Sequence, residues 1–334
     1  MNLIHFYTEE ENSDYLNKRA DEIKWGEKIE LLSNWDALEE SKVNYVLLGI
    51  PEDIGVRANH GIPGASQAWT SALKTVLNIQ HNAFTNASQI GVLGAIDCDM
   101  EMQEAANLNP DGENYLNFLG ELVEQIDRKV SKVVTKIIGL GKTPILIGGG
   151  HNNSYGNLKG ASIALEQPIN CINFDAHTDF RTLEHRHSGN GFTYAHRDGY
   201  LGNYYIFGLH RNYTSEGVFK LMNEQKEQLK FSLFEDITVN KSLSFSASIA
   251  EAQTHCCGSA FGLELDMDAI EGMGSSAMTP SGFTMQEARH WLHQFSKSPN
   301  CKYIHICEGA PNRALFPNQV GKAISYLISD VITT

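Results

Sequence analysis

Basic charge is scarce in this chain. Lys and Arg number 26 against 40 Asp and Glu, which leaves a formal net charge of -14. A surface of that sign repels nucleic acid and anionic membranes, so neither is an expected partner. Long apolar runs are missing too, and none reaches membrane-spanning length. The opening Met1-Asn2-Leu3-Ile4-His5-Phe6 has no basic start and no long apolar stretch, so it does not read as a signal peptide. The expected compartment is therefore the cytoplasm. Cysteines are few and scattered: Cys98, Cys171, Cys256, Cys257, Cys301 and Cys307. None forms a C-x-x-C pair, and the adjacent Cys256-Cys257 is a poor internal disulfide, so all six read as reduced and structural. Low-complexity tracts, linkers rich in Gly, Ser or Pro, and internal repeats are also lacking. With 334 residues and 42% apolar content, the chain can bury a large core.

What is present alternates. Apolar runs of strand length are expected over 42–50, 89–96, 144–147, 169–174, 203–209, 260–265 and 302–307. Helical spacing falls between them, at about 64–77, 154–166, 216–228 and 318–332. The strongest helix signal is 113–139, where Leu116, Leu119, Val123, Ile126, Val130, Val133 and Ile137 recur every three or four residues. Thr284-Met285-Gln286-Glu287 is a capping-box pattern opening a further helix to about Phe295. Strands alternating with helices imply a mainly parallel sheet covered on both faces, a three-layer α/β/α sandwich. Residues 1–40 are polar, with helical spacing at best. They are expected to be an N-terminal extension packed on a single domain over 41–334.

Three segments carry the chemistry. They are Gly148-Gly149-Gly150-His151, Asp175-Ala176-His177-Thr178-Asp179, and Glu264-Leu265-Asp266-Met267-Asp268. Each follows an apolar run, so each lands beyond the carboxyl end of a parallel strand, where such sheets collect ligands. Alternate residues of an extended segment face the same way. Asp175, His177 and Asp179 can therefore converge, as can Asp266 and Asp268. Two imidazoles and four carboxylates suffice for two divalent cations. A carboxylate-rich mixed set suits Mn²⁺ better than thiolate-selecting metals, with Zn²⁺, Co²⁺ and Fe²⁺ left open by ligand type, and no cysteine is expected to take part. A metal pair points to a hydrolase, because bound metal makes hydroxide available at neutral pH.

In this set and order the three motifs resemble the ureohydrolases, the family of arginase, agmatinase and formimidoylglutamase. The resemblance covers roughly residues 43–330. It implies a three-layer α/β/α fold, two Mn²⁺ per subunit, a small-molecule substrate and a homo-oligomer, trimeric or hexameric. By position it implies that His151 and Asp179 bind one ion and His177 and Asp268 the other. Asp175 and Asp266 would bridge both, and Asp179 would also accept a hydrogen bond from the bridging hydroxide. Glu308 matches the family's carboxylate that holds the cationic end of the substrate. Ser188-Gly189-Asn190 matches a loop that meets the substrate's amino-acid end. Three departures stand out. Phe192 occupies the place of the arginase proton-shuttle histidine, for which His185, His187, His196 or His210 would have to substitute. Glu264 replaces a usual Ser, where it could tune the metals from behind. Asn152 follows the first His in place of Asp, Glu or Ser.

Within the family, Gly55-Val56-Arg57-Ala58-Asn59-His60-Gly61 and the Arg181 that follows Asp179-Phe180 resemble the formimidoylglutamase branch. Its substrate carries two carboxylates, and Arg57, Arg181 and Arg211 are candidate clamps, since a guanidinium fork matches a carboxylate. The resemblance thus implies hydrolysis of N-formimidoyl-L-glutamate to L-glutamate and formamide. The competing readings are an arginase, agmatinase or other guanidino-acid hydrolase releasing urea, and a non-catalytic metal-binding protein of the same fold. Since all six ligand positions are filled, the last is the weakest.

Overall fold

A computed structural model describes residues 3–332 of the chain. Met1 and Asn2 of the expected N-terminal extension, and the last two residues, lie outside the described residues. Ten strands form one sheet: β1 (Ile4–Phe6), β2 (Glu30–Leu31), β3 (Tyr45–Gly49), β4 (Ile90–Ile96), β5 (Thr143–Ile147), β6 (Ile169–Phe174), β7 (Leu201–Leu209), β8 (Leu229–Leu233), β9 (Phe261–Asp266) and β10 (Cys301–Cys307). Their order is β1-β4-β3-β5-β10-β9-β6-β7-β8, with β2 also on β4. Among the pairings of these ten strands only β1–β4 is antiparallel.

The side-chain alternation of these strands makes the three layers. Leu47, Ile145 and Ile147 enter one apolar cluster, while Val46, Leu48 and Leu146 enter another on the opposite face. Both faces are buried, which is why the strands read as continuous apolar runs rather than alternating ones. The helix Tyr115–Gly139 covers one face with Leu119, Val123, Ile126, Val130, Val133 and Ile137, all fully buried. The helices Met285–Ser296 and Gln319–Ile332 cover the other through Trp291, Leu292, Ile324, Leu327 and Ile328. The expected capping box is formed: Thr284 N donates to Glu287 Oε2 at 2.7 Å and Glu287 N to Thr284 Oγ1 at 3.2 Å.

Some elements differ from expectation. Residues 4–6 and 30–31 are not a purely helical appendage but strands added to β4. Both are too short to show a period of two. The helix expected over 216–228 stops at Glu224, because Leu229–Leu233 becomes the edge strand β8 beside β7. A helix over Phe245–Cys256, rich in Ser and Ala, carried too weak an apolar stripe to be seen. No described helix is long and apolar enough to cross a membrane.

The strand order sets up the site. β5, β10, β9 and β6 are consecutive neighbours in the sheet, all parallel. Their carboxyl ends share one edge. His151, Glu308, Asp266 and Asp175 each stand at or just past such an end. Segments more than a hundred residues apart are thereby delivered to one place.

Candidate metal centre

After β5 the chain turns through Gly148 and Gly149, both with positive φ (89° and 74°). A Cβ on Gly149 would stand 2.4 Å from the Asn153 amide nitrogen, so the turn requires glycine. Glu52, fully buried, holds this turn from outside. Its Oε1 accepts from Gly150 N (3.1 Å), Asn152 Nδ2 (3.1 Å) and Asn153 Nδ2 (2.6 Å), and its Oε2 from Ile54 N (2.7 Å). Nothing in the sequence around Glu52 announced that role.

The turn aims His151 at the carboxylates. Its Nδ1 lies 2.8 Å from Asp179 Oδ2, 3.2 Å from Asp266 Oδ2 and 3.3 Å from Asp175 Oδ2. A second group gathers on His177, whose Nδ1 lies 3.4 Å from Asp268 Oδ2 and 3.5 Å from Asp175 Oδ1. Within each group the ligand atoms all fall within 4.8 Å of one another. Asp175 turns one oxygen to each group and stands between them. Asp266 is built in the same way: its Oδ2 joins the His151 group, and its Oδ1 accepts the Asp268 N–H at 2.8 Å, as Asp175 Oδ1 accepts the His177 N–H at 2.7 Å.

Cys307 departs from expectation. Its register position on β10 is opposite Asp266 on β9, and its Sγ comes within 4.8 Å of ligand atoms of both His151 and Asp266. A buried thiol therefore borders the site, donating weakly to Leu265 O at 3.6 Å.

The arrangement fits divalent cations. Asp175, Asp266, Asp268 and Glu308 are nearly or fully buried, and Asp179 adds a fifth carboxylate against only two imidazoles. Buried charge of one sign is tolerated only with compensation. Without it, burial and the neighbouring Asp268 and Asp175 hold Asp266 well above the usual carboxylate range. Burial works against Asp175 as well, but His151 and His177 keep it below that range. Asp268 Oδ1 is buried and has no hydrogen-bond partner.

Above the two groups lies a cleft of about 440 Å³, lined among others by His60, Asp179, Arg181, Ser188, Tyr213 and Glu308. Glu308 forms its anionic floor. With φ +60°, it turns back so that Oε1 accepts His151 N at 2.9 Å. Its Oε2 is buried and without a partner. Burial, then the charge of Asp268, pushes its carboxyl up to about 8. The rim is cationic and polar. Arg181 donates to Asn59 Oδ1 at 2.7 Å, and Asn59 in turn donates to Ser188 Oγ at 3.1 Å. Tyr213 stacks on His177 with ring centroids 5.0 Å apart.

Of the expected substrate residues, Arg181 and Ser188 line the cleft, and Arg57, Asn190 and Arg211 do not. Arg57 turns back along its helix toward Asp53, 3.7 Å away. It is Asn59, two residues on, that faces the cleft. Asn190 is fully buried, with Oδ1 accepting from Arg186 Nη1 at 2.6 Å and from His187 N at 3.1 Å, so it braces the loop rather than meeting ligand. Arg211 pairs with Glu235 at 3.5 Å. Phe192 is fully buried, edge-on to the His151 ring at 5.2 Å. The histidines considered in its place are held elsewhere. His185 Nε2 meets Ala58 O, His187 Nε2 meets Glu184 and His196 Nε2 meets Gln228. His210 is sandwiched between Phe234 and Tyr213. The imidazole that does line the cleft, beside His177, is His60.

A parallel sheet whose central strand ends present two carboxylate–imidazole groups under one cleft is an α/β arrangement with the donors to hold divalent cations. Residues 43–332 match the model of the Arginase family, and the chain belongs to that family. It is 29% identical over 241 residues to a formimidoylglutamase of Streptococcus gordonii, covering 67% of this chain and 66% of that protein, just under two thirds of its length. It is 28% identical over 294 residues to a formimidoylglutamase of a Geobacillus species, covering 85% and 82%. The solved Trypanosoma cruzi formiminoglutamase with Mn²⁺ superimposes with a TM-score of 0.73 at 18% identity, covering 94% of this chain and 98% of that one, a likeness of fold.

Proposed function

We propose that this protein hydrolyses a C–N bond of a linear amidine, with N-formimidoyl-L-glutamate as substrate and L-glutamate and formamide as products. The carrying observation is the polarity of the cleft. A buried carboxylate with an unpartnered oxygen, Glu308, lies at the floor, and a guanidinium, Arg181, stands on the rim. A molecule with a cationic amidine head and an anionic tail matches that polarity. The formimidoylglutamases among the relatives support the same choice.

His151, Asp175, Asp179, His177, Asp266 and Asp268 would hold two Mn²⁺ per subunit. The metal pair supplies hydroxide at neutral pH by lowering the pKa of water. Glu308 Oε2 would receive the amidinium N–H groups and fix the trigonal carbon over the site. An ionised Glu308 is required for this, and the cations and substrate restore the ionisation that burial opposes. Asp179 Oδ2 would accept the proton of the attacking oxygen. The C–O bond forms, the bond from the formimidoyl carbon to the glutamate nitrogen breaks, and that nitrogen leaves with the proton. Arg181, held by Asn59, would receive a substrate carboxylate. Phe192 stands where the family resemblance puts the arginase proton-shuttle histidine, which speaks against the arginase route. The same reading takes the protein as cytoplasmic, from the character of its sequence, and as a homo-oligomer, trimer or hexamer, by family resemblance.

The test is product analysis of Mn²⁺-loaded protein with formimidoylglutamate, arginine, agmatine and guanidinobutyrate. Formamide and glutamate from the first alone are expected. Urea from any of the others would move the protein to the guanidino branch.

A further inference from the structure

We infer that Glu264 and His305 are positioning residues that grip the far side of His151 and so decide which of its nitrogens faces the metal group. The inference rests on the reading of the two clusters as a metal pair. It concerns residues that touch neither ion nor substrate.

Register puts them there. Glu264 on β9 and His305 on β10 are direct partners, one pleat below Asp266 and Cys307. Because alternate residues share a face, the two layers point the same way. His151, Glu264 and His305 are all fully buried. A carboxylate and an imidazole side by side in such an interior must satisfy one another.

The contacts form a chain with one longer link, 3.6 Å from His151 to Glu264. His151 gives Nδ1 to the carboxylates of the site and turns Nε2 inward, where it has no hydrogen-bond partner and faces Glu264 Oε2 at 3.6 Å. The same Oε2 lies 2.5 Å from His305 Nδ1. The other carboxylate oxygen accepts from Asn157 Nδ2 at 3.2 Å. His305 Nε2 then reaches Gly148 O at 3.1 Å. Gly148 opens the turn that ends in His151, so the pair holds that turn at both ends. An imidazole that ligates through Nδ1 carries its proton on Nε2 and needs an acceptor there. Glu264 is the carboxylate in that place, and His305 keeps it pointed there.

The experiment is calorimetric titration of the full chain with Mn²⁺, alongside electron paramagnetic resonance of the bound ions. Glu264→Gln and His305→Gln should each weaken one of the two ions by about 10- to 100-fold, the range for partners behind a ligating histidine. The other ion should stay within about twofold. The double variant should lose no more than the worse single one, because the chain of contacts acts as one unit. If Glu264→Gln fails to fold, leaving His305 without its partner, the double variant, which replaces both members of the pair, carries the same expectation. A merely supporting pair would lower the melting temperature and leave both affinities unchanged, and that result overturns the inference. Wild-type protein that takes up no Mn²⁺ overturns the metal reading and this one together, and shows itself before any substitution is made.

Discussion

Replacing Arg186 by Met should cost more stability than any surface change on this chain. The guanidinium is 1% exposed. It donates to both oxygens of Asp127 (Nε at 3.1 Å, Nη2 at 3.3 Å), to Asn152 O at 2.9 Å, and to Asn190 Oδ1 at 2.6 Å. It thus ties the helix Tyr115–Gly139 to the residue after His151 and to the Ser188–Asn190 turn. Removing one partner of a buried ion pair costs about 3–5 kcal/mol, since the other charge is left in a low-dielectric interior. Here three further acceptors, Asn152 O, Asn190 Oδ1 and His187 O, also lose their donor, so the upper part of that range is expected. Burial already pushes Asp127 up to about 6, against the pull of Arg186. Without Arg186 it takes up a proton more readily still. A group whose folded pKa is raised stabilises the fold at low pH and loses that contribution as pH rises. The deficit of the variant should therefore be larger at pH 8 than at pH 6. Urea unfolding at the two pH values measures both effects. Adding Asp127→Leu should recover part of the loss, because no buried anion then remains. A single-variant loss below about 1 kcal/mol, or a double variant as weak as the sum of the two singles, would refute the strut.

Other outcomes follow from the site. Mn²⁺ at a hundredfold excess over its Kd should stabilise wild-type protein by about 2.7 kcal/mol per site. Asp266→Ala should shrink that gain and abolish turnover, and an unchanged Mn²⁺-dependent rise in melting temperature would remove Asp266 from the centre. Arg181→Ala should raise KM for formimidoylglutamate by roughly tenfold or more, the loss of one charge-assisted contact, with kcat little changed. An unaltered KM would free the rim of any part in binding. His187 Nδ1 accepts the Gly189 N–H at 3.0 Å, so the ring must stay neutral there. Burial, against the pull of Glu184, lowers its pKa to about 4. The unfolded chain takes up this proton from about pH 6.5 downward while the fold does not, so stability falls between about 6.5 and 4. His187→Gln should flatten that part of the urea-derived stability curve, and curves of equal slope would sink the idea.

The clustering of these carboxylates and imidazoles was legible because each sits within a few residues of a strand end, where spacing alone says which way side chains turn. Asp175-x-His177-x-Asp179 alone could be a solvated turn, and it was read through its company with the other two strand-end motifs. What escaped notice depends on register between strands or on packing between layers. Glu264 drew attention as an oddity, but nothing linear joins it to His305. The Asp127–Arg186 pair spans a helix and a loop 59 residues apart. Cys307 reaches the site only because β10 aligns it with Asp266. Arg57 was misread for a related reason: a motif gives neighbourhood without direction, and the helical turn at 54–58 carries it away while presenting Asn59. Of the fold, buried parallel strands and the long helix declared themselves by period. β8 and the short N-terminal strands did not, since an edge strand of two to five residues shows too few alternations to count.

Asp179, Glu308 and His60 share a property beyond their place at the cleft. Each holds a left-handed backbone, with φ of 43°, 60° and 60°. For a residue with a Cβ that conformation costs on the order of 1–3 kcal/mol, and glycine would relieve it. Selection for durability alone would erode these positions toward glycine, gaining melting temperature and losing the side chains that line the cleft. The edge of this sheet is kept under tension, and a variant of the protein evolved or designed for heat resistance is at risk of becoming a better scaffold and a poorer catalyst at those three residues.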